Sequence, residues 1–95
     1  MAIVDLYDFK TYIRVENTIE DNMIENLLAA AENAAANWCR VNFDESADEQ
    51  VKNAIMMYAG YNYEHRSEPD EKGYKAMYQT FQDMLSPYAA PEKLF

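Results

Sequence analysis

Ninety-five residues suit one compact domain, and 49% hydrophobic content is too high for a disordered chain. Seventeen acids against eight Lys and Arg give a formal net charge of −9. That balance excludes a general nucleic-acid binder, which needs a basic footprint, and a protein that adheres to anionic membranes.

Two Gly, three Pro and frequent Ala, Glu, Met and Leu predict helix throughout. Cys39 is alone, so no intrachain disulfide can form, which suits a reducing compartment. The opening MAIVDLYDFK is neither basic nor apolar enough for a signal peptide, and no stretch reads as membrane-spanning. Synthesis in the cytoplasm is the expectation.

The first helix is predicted over about residues 5–14. Asp5 can cap it, and Leu6, Phe9, Tyr12 and Ile13 form its apolar stripe. It is too short to stand alone and must dock on something. A second helix is expected over 19–40, with Thr18 as cap and Glu20 and Asp21 at its positive end. Ile24, Leu27, Leu28, Ala31, Ala35 and Trp38 keep one face apolar. The many Ala residues fit either close helix approach or plain helix propensity, and the second is the simpler reading. No Gly ends this helix; Arg40 suits the dipole there.

Ser46 and Glu49 fit a capping box opening a third helix, expected over 47–66. Its run Ala54 to Tyr61 is apolar on nearly every face, so we expect it at the centre, wrapped by the rest of the chain or by neighbouring subunits. Ser67-Glu68-Pro69-Asp70 is a turn. The last helix is expected over 73–86, with a tail at 87–95 ending on the apolar pair Leu94-Phe95. The fold class is therefore all-α: a small bundle of about four helices around a central apolar one.

A search for chemistry finds little. His65 is the only histidine and lacks the second histidine of a helical zinc pair, so a capping role is expected. Cys39 has no base near it in sequence and reads as a small buried thiol. The acid clusters fall at helix starts and turns, where the helix dipole accounts for them, and none matches a calcium loop. No catalytic residue, cofactor site or metal site is assigned. What remains is surface: eight Tyr, six Met, an apolar central helix and an apolar tail. These point to an interaction protein that associates with itself, since a symmetric oligomer covers excess apolar surface on a short chain.

Several blocks resemble the small head–tail connector proteins (adaptor or head-completion proteins, also called DNA-packaging proteins) of tailed bacteriophages. Leu6 to Val15 is similar to that family's L-x-x-x-K-x-Y-L-R-I/V, through Lys10, Tyr12 and Arg14. Asp21, Ile24, Leu27-Leu28 and Ala31 follow at the family's spacing. Val51 to Ile55 and Tyr63 to Arg66 resemble L-K-x-A-I-L-x-L-x-x-x-x-Y-x-x-R, and Met84 to Tyr88 resembles L-L-x-P-Y. The chain departs from the pattern at Trp38 to Phe43, where the family often has Thr-Gly-Arg, and at Ala89, where an Arg is common.

The resemblance implies a non-catalytic virion protein at the head–tail junction. It implies a homo-oligomeric ring, about twelve-fold to match the portal, that extends the DNA channel and receives a stopper or tail-completion protein on its other face. DNA would pass without specific binding, and an acidic lumen would not hold it. Arg14 and Arg66 are candidates for pairing with acids of a neighbouring subunit, the alternative being that each caps its own helix end. Tyr12 and Tyr63 could add interface area or close the core. Leu94 and Phe95 are expected to contact the portal or a neighbour. The alternative function is a small helical regulator or adaptor that binds one protein partner as a monomer or dimer. A metal- or acid-dependent enzyme ranks third.

Overall fold

The structure, a computed structural model, describes residues 3–90. Four helices follow in order: α1 Leu6–Ile13, α2 Asp21–Cys39, α3 Glu49–Glu64 and α4 Glu71–Leu85. A 3-10 turn at Ser86–Tyr88 follows, and no strand occurs among the described residues. The fold is the expected all-α bundle. α3 lies at its centre, packed along both α2 and α4 and touching α1. Val51, Ala54, Ile55 and Ala59 of α3 are fully buried in one core with Phe9, Ile24, Leu28, Phe81 and Leu85. No polar or charged residue is buried among the described residues, so apolar burial dominates the fold's stability.

The helix boundaries follow from local polar chemistry. The Asp5 carboxylate accepts from the Tyr7 and Asp8 amides and opens α1. Thr18 does not cap α2. Its carbonyl accepts from the Asp21 amide, and Glu20 occupies the boundary with its side chain turned elsewhere. The expected capping box at Ser46 does not form either. Asp44 takes both the Ser46 amide, at 2.9 Å, and its hydroxyl, at 2.6 Å. This Asx turn consumes the capping group, and α3 starts after Asp48. α4 begins at Glu71, two residues before Gly73, because Asp70 accepts from the Gly73 amide and fixes the first turn.

Two helix ends have no glycine where one would be usual. Arg14 (φ 62°) and Arg40 (φ 58°) both adopt the left-handed conformation. Each allows a closing bond one residue on, from Val15 to the Lys10 carbonyl and from Val41 to the Ala36 carbonyl. This is the Schellman pattern, formed here despite the steric cost of a Cβ, about 1–2 kcal/mol per residue.

Both flanks of the chain are tied to α2. Glu32 accepts from the amides of Ile3 (2.9 Å) and Val4 (3.0 Å), whose side chains join the core. At the other flank, Ala90 donates to the Cys39 carbonyl at 2.8 Å. The Cys39 thiol is buried against the Leu85 carbonyl.

The alanines of α2 divide into two roles. Ala31 and Ala35 are fully buried in the core, whereas Ala29 and Ala30 face solvent. We therefore expect Ala35→Leu to overpack the core and cost about 1–3 kcal/mol in urea denaturation. Ala30→Leu should stay within about 0.5 kcal/mol. Equal effects would remove the distinction.

Candidate interaction surface

The end of α1, the start of α2 and the end of α3 meet at one end of the bundle. Lys10, held by the Asn17 carbonyl at 2.6 Å, pairs with Asp21 at 2.7 Å and ties α1 to α2. Glu20 joins α2 to α3. One oxygen accepts from the Tyr63 hydroxyl at 2.6 Å, and the other faces Arg66 at 3.4 Å. The Arg66 guanidinium lies over the Tyr63 ring, 4.1 Å from its centre, and also donates to the Tyr63 carbonyl at the end of α3. The bond to Glu20 raises the pKa of the Tyr63 hydroxyl, with desolvation and the Glu20 charge adding to it and Arg66 opposing.

Beside this joint, Tyr12, Ile13, Arg14, Met57, Gly60, Tyr61, Tyr63 and Glu64 line an open groove of about 490 Å³. Gly60 makes room for Tyr12: a Cβ there would stand 3.0 Å from the Tyr12 ring. The Tyr12 ring rides over the helix and remains 52% exposed, so it does not close the core. Arg14 is exposed and makes no ion pair among the described residues; Glu64 is likewise exposed and unpaired.

Of the six residues singled out in the sequence, Tyr12, Arg14 and Tyr63 therefore share one groove. Arg66 borders it and is engaged within its own chain. Leu94 and Phe95 lie outside the described residues. Sequence reading missed Glu20, whose partner is 43 residues away, and the exposed Tyr7 and Ile19, at 76% and 87% exposure. The sequence signals for the Tyr63–Arg66 pair were its three-residue helical spacing and the family's Y-x-x-R.

Tyr58, Tyr61, Tyr74 and Tyr78 form an aromatic seam between α3 and α4. Tyr58 packs on Phe81 with centroids 4.7 Å apart and shares a hydroxyl contact of 3.1 Å with Tyr74. Burial, then the Tyr74 bond, raises the Tyr58 pKa. Tyr61 stacks on His65 at 4.1 Å and donates to Asp70 at 3.0 Å. His65 ends α3, its Nδ1 3.0 Å from the Tyr61 carbonyl.

Asp70 is thus a helix cap held by the Gly73 amide, the Tyr61 hydroxyl and, more weakly, His65, and these lower its pKa. A lowered folded pKa means that its contribution is present above the ordinary value of about 3.9 and is lost as pH falls through the folded value. We expect the urea midpoint to fall on acidification below about pH 4, with a smaller fall in Asp70→Asn. Asp44, lowered by its Ser46 bonds, supplies part of the remaining slope. An unchanged slope in the variant would refute the assignment.

Among the described residues no group of three or more His, Cys, Asp or Glu could hold a metal ion. No helix there is long and apolar enough to cross a membrane. Cys39 and His65 sit at the C-terminal ends of α2 and α3. Those ends are far apart, because Tyr63 meets the opposite end of α2 at Glu20.

Fold and surface together define a small helical bundle whose polar side chains cap and join helices and whose exposed aromatic and aliphatic residues gather at one end. The family model for phage gp6-like head-tail connector proteins matches residues 3–89, and the chain belongs to that family. The family is structural, not enzymatic. Neither the curated proteins nor the solved structures gave a match.

Proposed function

We propose that the chain assembles into a closed ring, about twelve-fold, at the head–tail junction of a phage virion. The ring docks under the portal protein, prolongs its DNA channel and receives a stopper or tail-completion protein on the far face. It catalyses no reaction. The family match across residues 3–89 carries this reading. Three features support it. Tyr7, Tyr12 and Ile19 are exposed at the end of the bundle where α1 meets α2, an apolar cost that a subunit contact would remove. Arg14 is exposed and unpaired among the described residues, as an intersubunit contact requires. The net charge of −9 suits a channel wall that repels phosphates, through which DNA would slide without specific binding. Tyr12, Arg14, Tyr63 and Arg66 are the contact residues of the described part of the chain.

Light scattering tests the reading, first on the protein alone and then with a portal ring from the same genome. A large ring, or stoichiometric capping of the portal, is expected. A monomer or dimer indifferent to the portal would overturn it and favour a helical regulator that binds a single protein partner.

A further inference from the structure

We infer that the groove of Tyr12, Arg14 and Gly60 is filled by the Glu92-Lys93-Leu94-Phe95 segment of a second copy of the chain. This deepens the ring reading and rests on it. The argument begins with where the segment starts. Ala90 is fixed to the Cys39 carbonyl, at the C-terminal end of α2. The groove is at the other end: Lys10 pairs with Asp21 and Tyr63 with Glu20, both at the α2 start. The 19 residues of α2 separate those ends by about 28 Å. Phe95 is five residues beyond Ala90 and reaches at most about 18 Å. Glu92 and Lys93, two and three residues beyond Ala90, cannot reach the Arg14 and Glu64 rim of their own chain but can reach that of another.

Chemical complementarity favours this occupant. The groove floor is apolar and aromatic, from Ile13, Met57, Gly60 and Tyr12, and its rim carries one cation, Arg14, and one anion, Glu64. The segment carries one anion, Glu92, one cation, Lys93, and the apolar pair Leu94-Phe95. Glu92 pairs with Arg14 and Lys93 with Glu64, while Leu94 and Phe95 cover the apolar floor. Donor site and acceptor groove are different surfaces at opposite ends, so the contact is head-to-tail. Such a contact repeats from copy to copy and closes into a ring when the rotation permits.

Cysteine trapping tests the assignment on the full chain. One preparation carries Phe95→Cys and a second, differently labelled, carries Tyr12→Cys. They are mixed, alone and with the portal ring, and oxidised with glutathione disulfide. Tyr12 is half exposed, so its replacement spares the core. A disulfide joining the two labels is expected. A chain carrying both substitutions should form interchain ladders and no closed monomer. In parallel, Arg14→Glu should weaken self-association about tenfold, and Glu92→Arg in the same chain should restore it.

A monomer closed by a 95–12 disulfide would refute the reach argument. Ring formation or portal capping without the 95–12 disulfide would overturn the segment's placement and leave the connector reading intact. Cross-linking of Phe95→Cys to the portal protein would overturn the second copy as occupant. Absence of any association, with or without portal, would overturn both readings.

Discussion

Ile55→Asp is expected to leave the chain unfolded at 25 °C, with loss of the helical circular-dichroism signal. Ile55 is fully buried on α3, which is packed between α2 and α4. Removing the aliphatic side chain alone costs about 2–5 kcal/mol. The new carboxylate would enter a core in which no described residue is both buried and polar, so no partner awaits it. An unpaired buried charge adds several kcal/mol more, against a total stability of about 5–15 kcal/mol for a domain of this size. Asn53→Asp, on the exposed side of the same helix, should change stability by no more than about 0.5 kcal/mol. A folded Ile55→Asp variant would show that α3 is not the centre of the bundle.

Phe81→Ala should keep the fold but lower its stability by about 3–5 kcal/mol. Phe81 is fully buried and is the anchor of the aromatic seam, with Tyr58 at 4.7 Å and Tyr78 at 5.7 Å between centroids. Deleting the ring opens a void that Tyr58 cannot fill without giving up its Tyr74 contact. At about 4–8 °C per kcal/mol, the thermal midpoint should drop by roughly 12–40 °C. Tyr74→Ala, at the exposed rim of the seam, should cost clearly less. Equal losses at both positions would mean that the seam has no buried anchor.

How much of this was legible in the sequence depended on range. The order of the helices and the central place of α3 were readable, because periodic apolar residues report burial directly. Asp5 as a cap was readable because its partners lie within three residues. Ser46 was misread although its partner is also near. Two local schemes competed for one hydroxyl, and Asp44 outbid the capping box with two bonds. The left-handed stops at Arg14 and Arg40 carry no residue signal at all, since arginine is not a residue that seeks that conformation.

The candidate surface was half legible. Tyr12, Arg14, Tyr63 and Arg66 came from the family resemblance, and the structure places three of them in one groove. That Tyr12 stays half exposed depends on Gly60, 48 positions later, and no periodicity links the two. Glu20 was read as a helix-start charge, and its bond to Tyr63 was invisible for the same reason.

The packing of α2 on α3 and of α3 on α4 joins neighbours in sequence. Short loops therefore close nearly all the major contacts, and the entropy lost in bringing them together is small. Refolding by stopped flow should accordingly finish within microseconds to milliseconds, as for other local helical topologies. Subunit encounters are slower and depend on concentration. Under the proposed assembly, monomers would meet as finished parts, and the rate of ring growth would be set by collisions between folded chains.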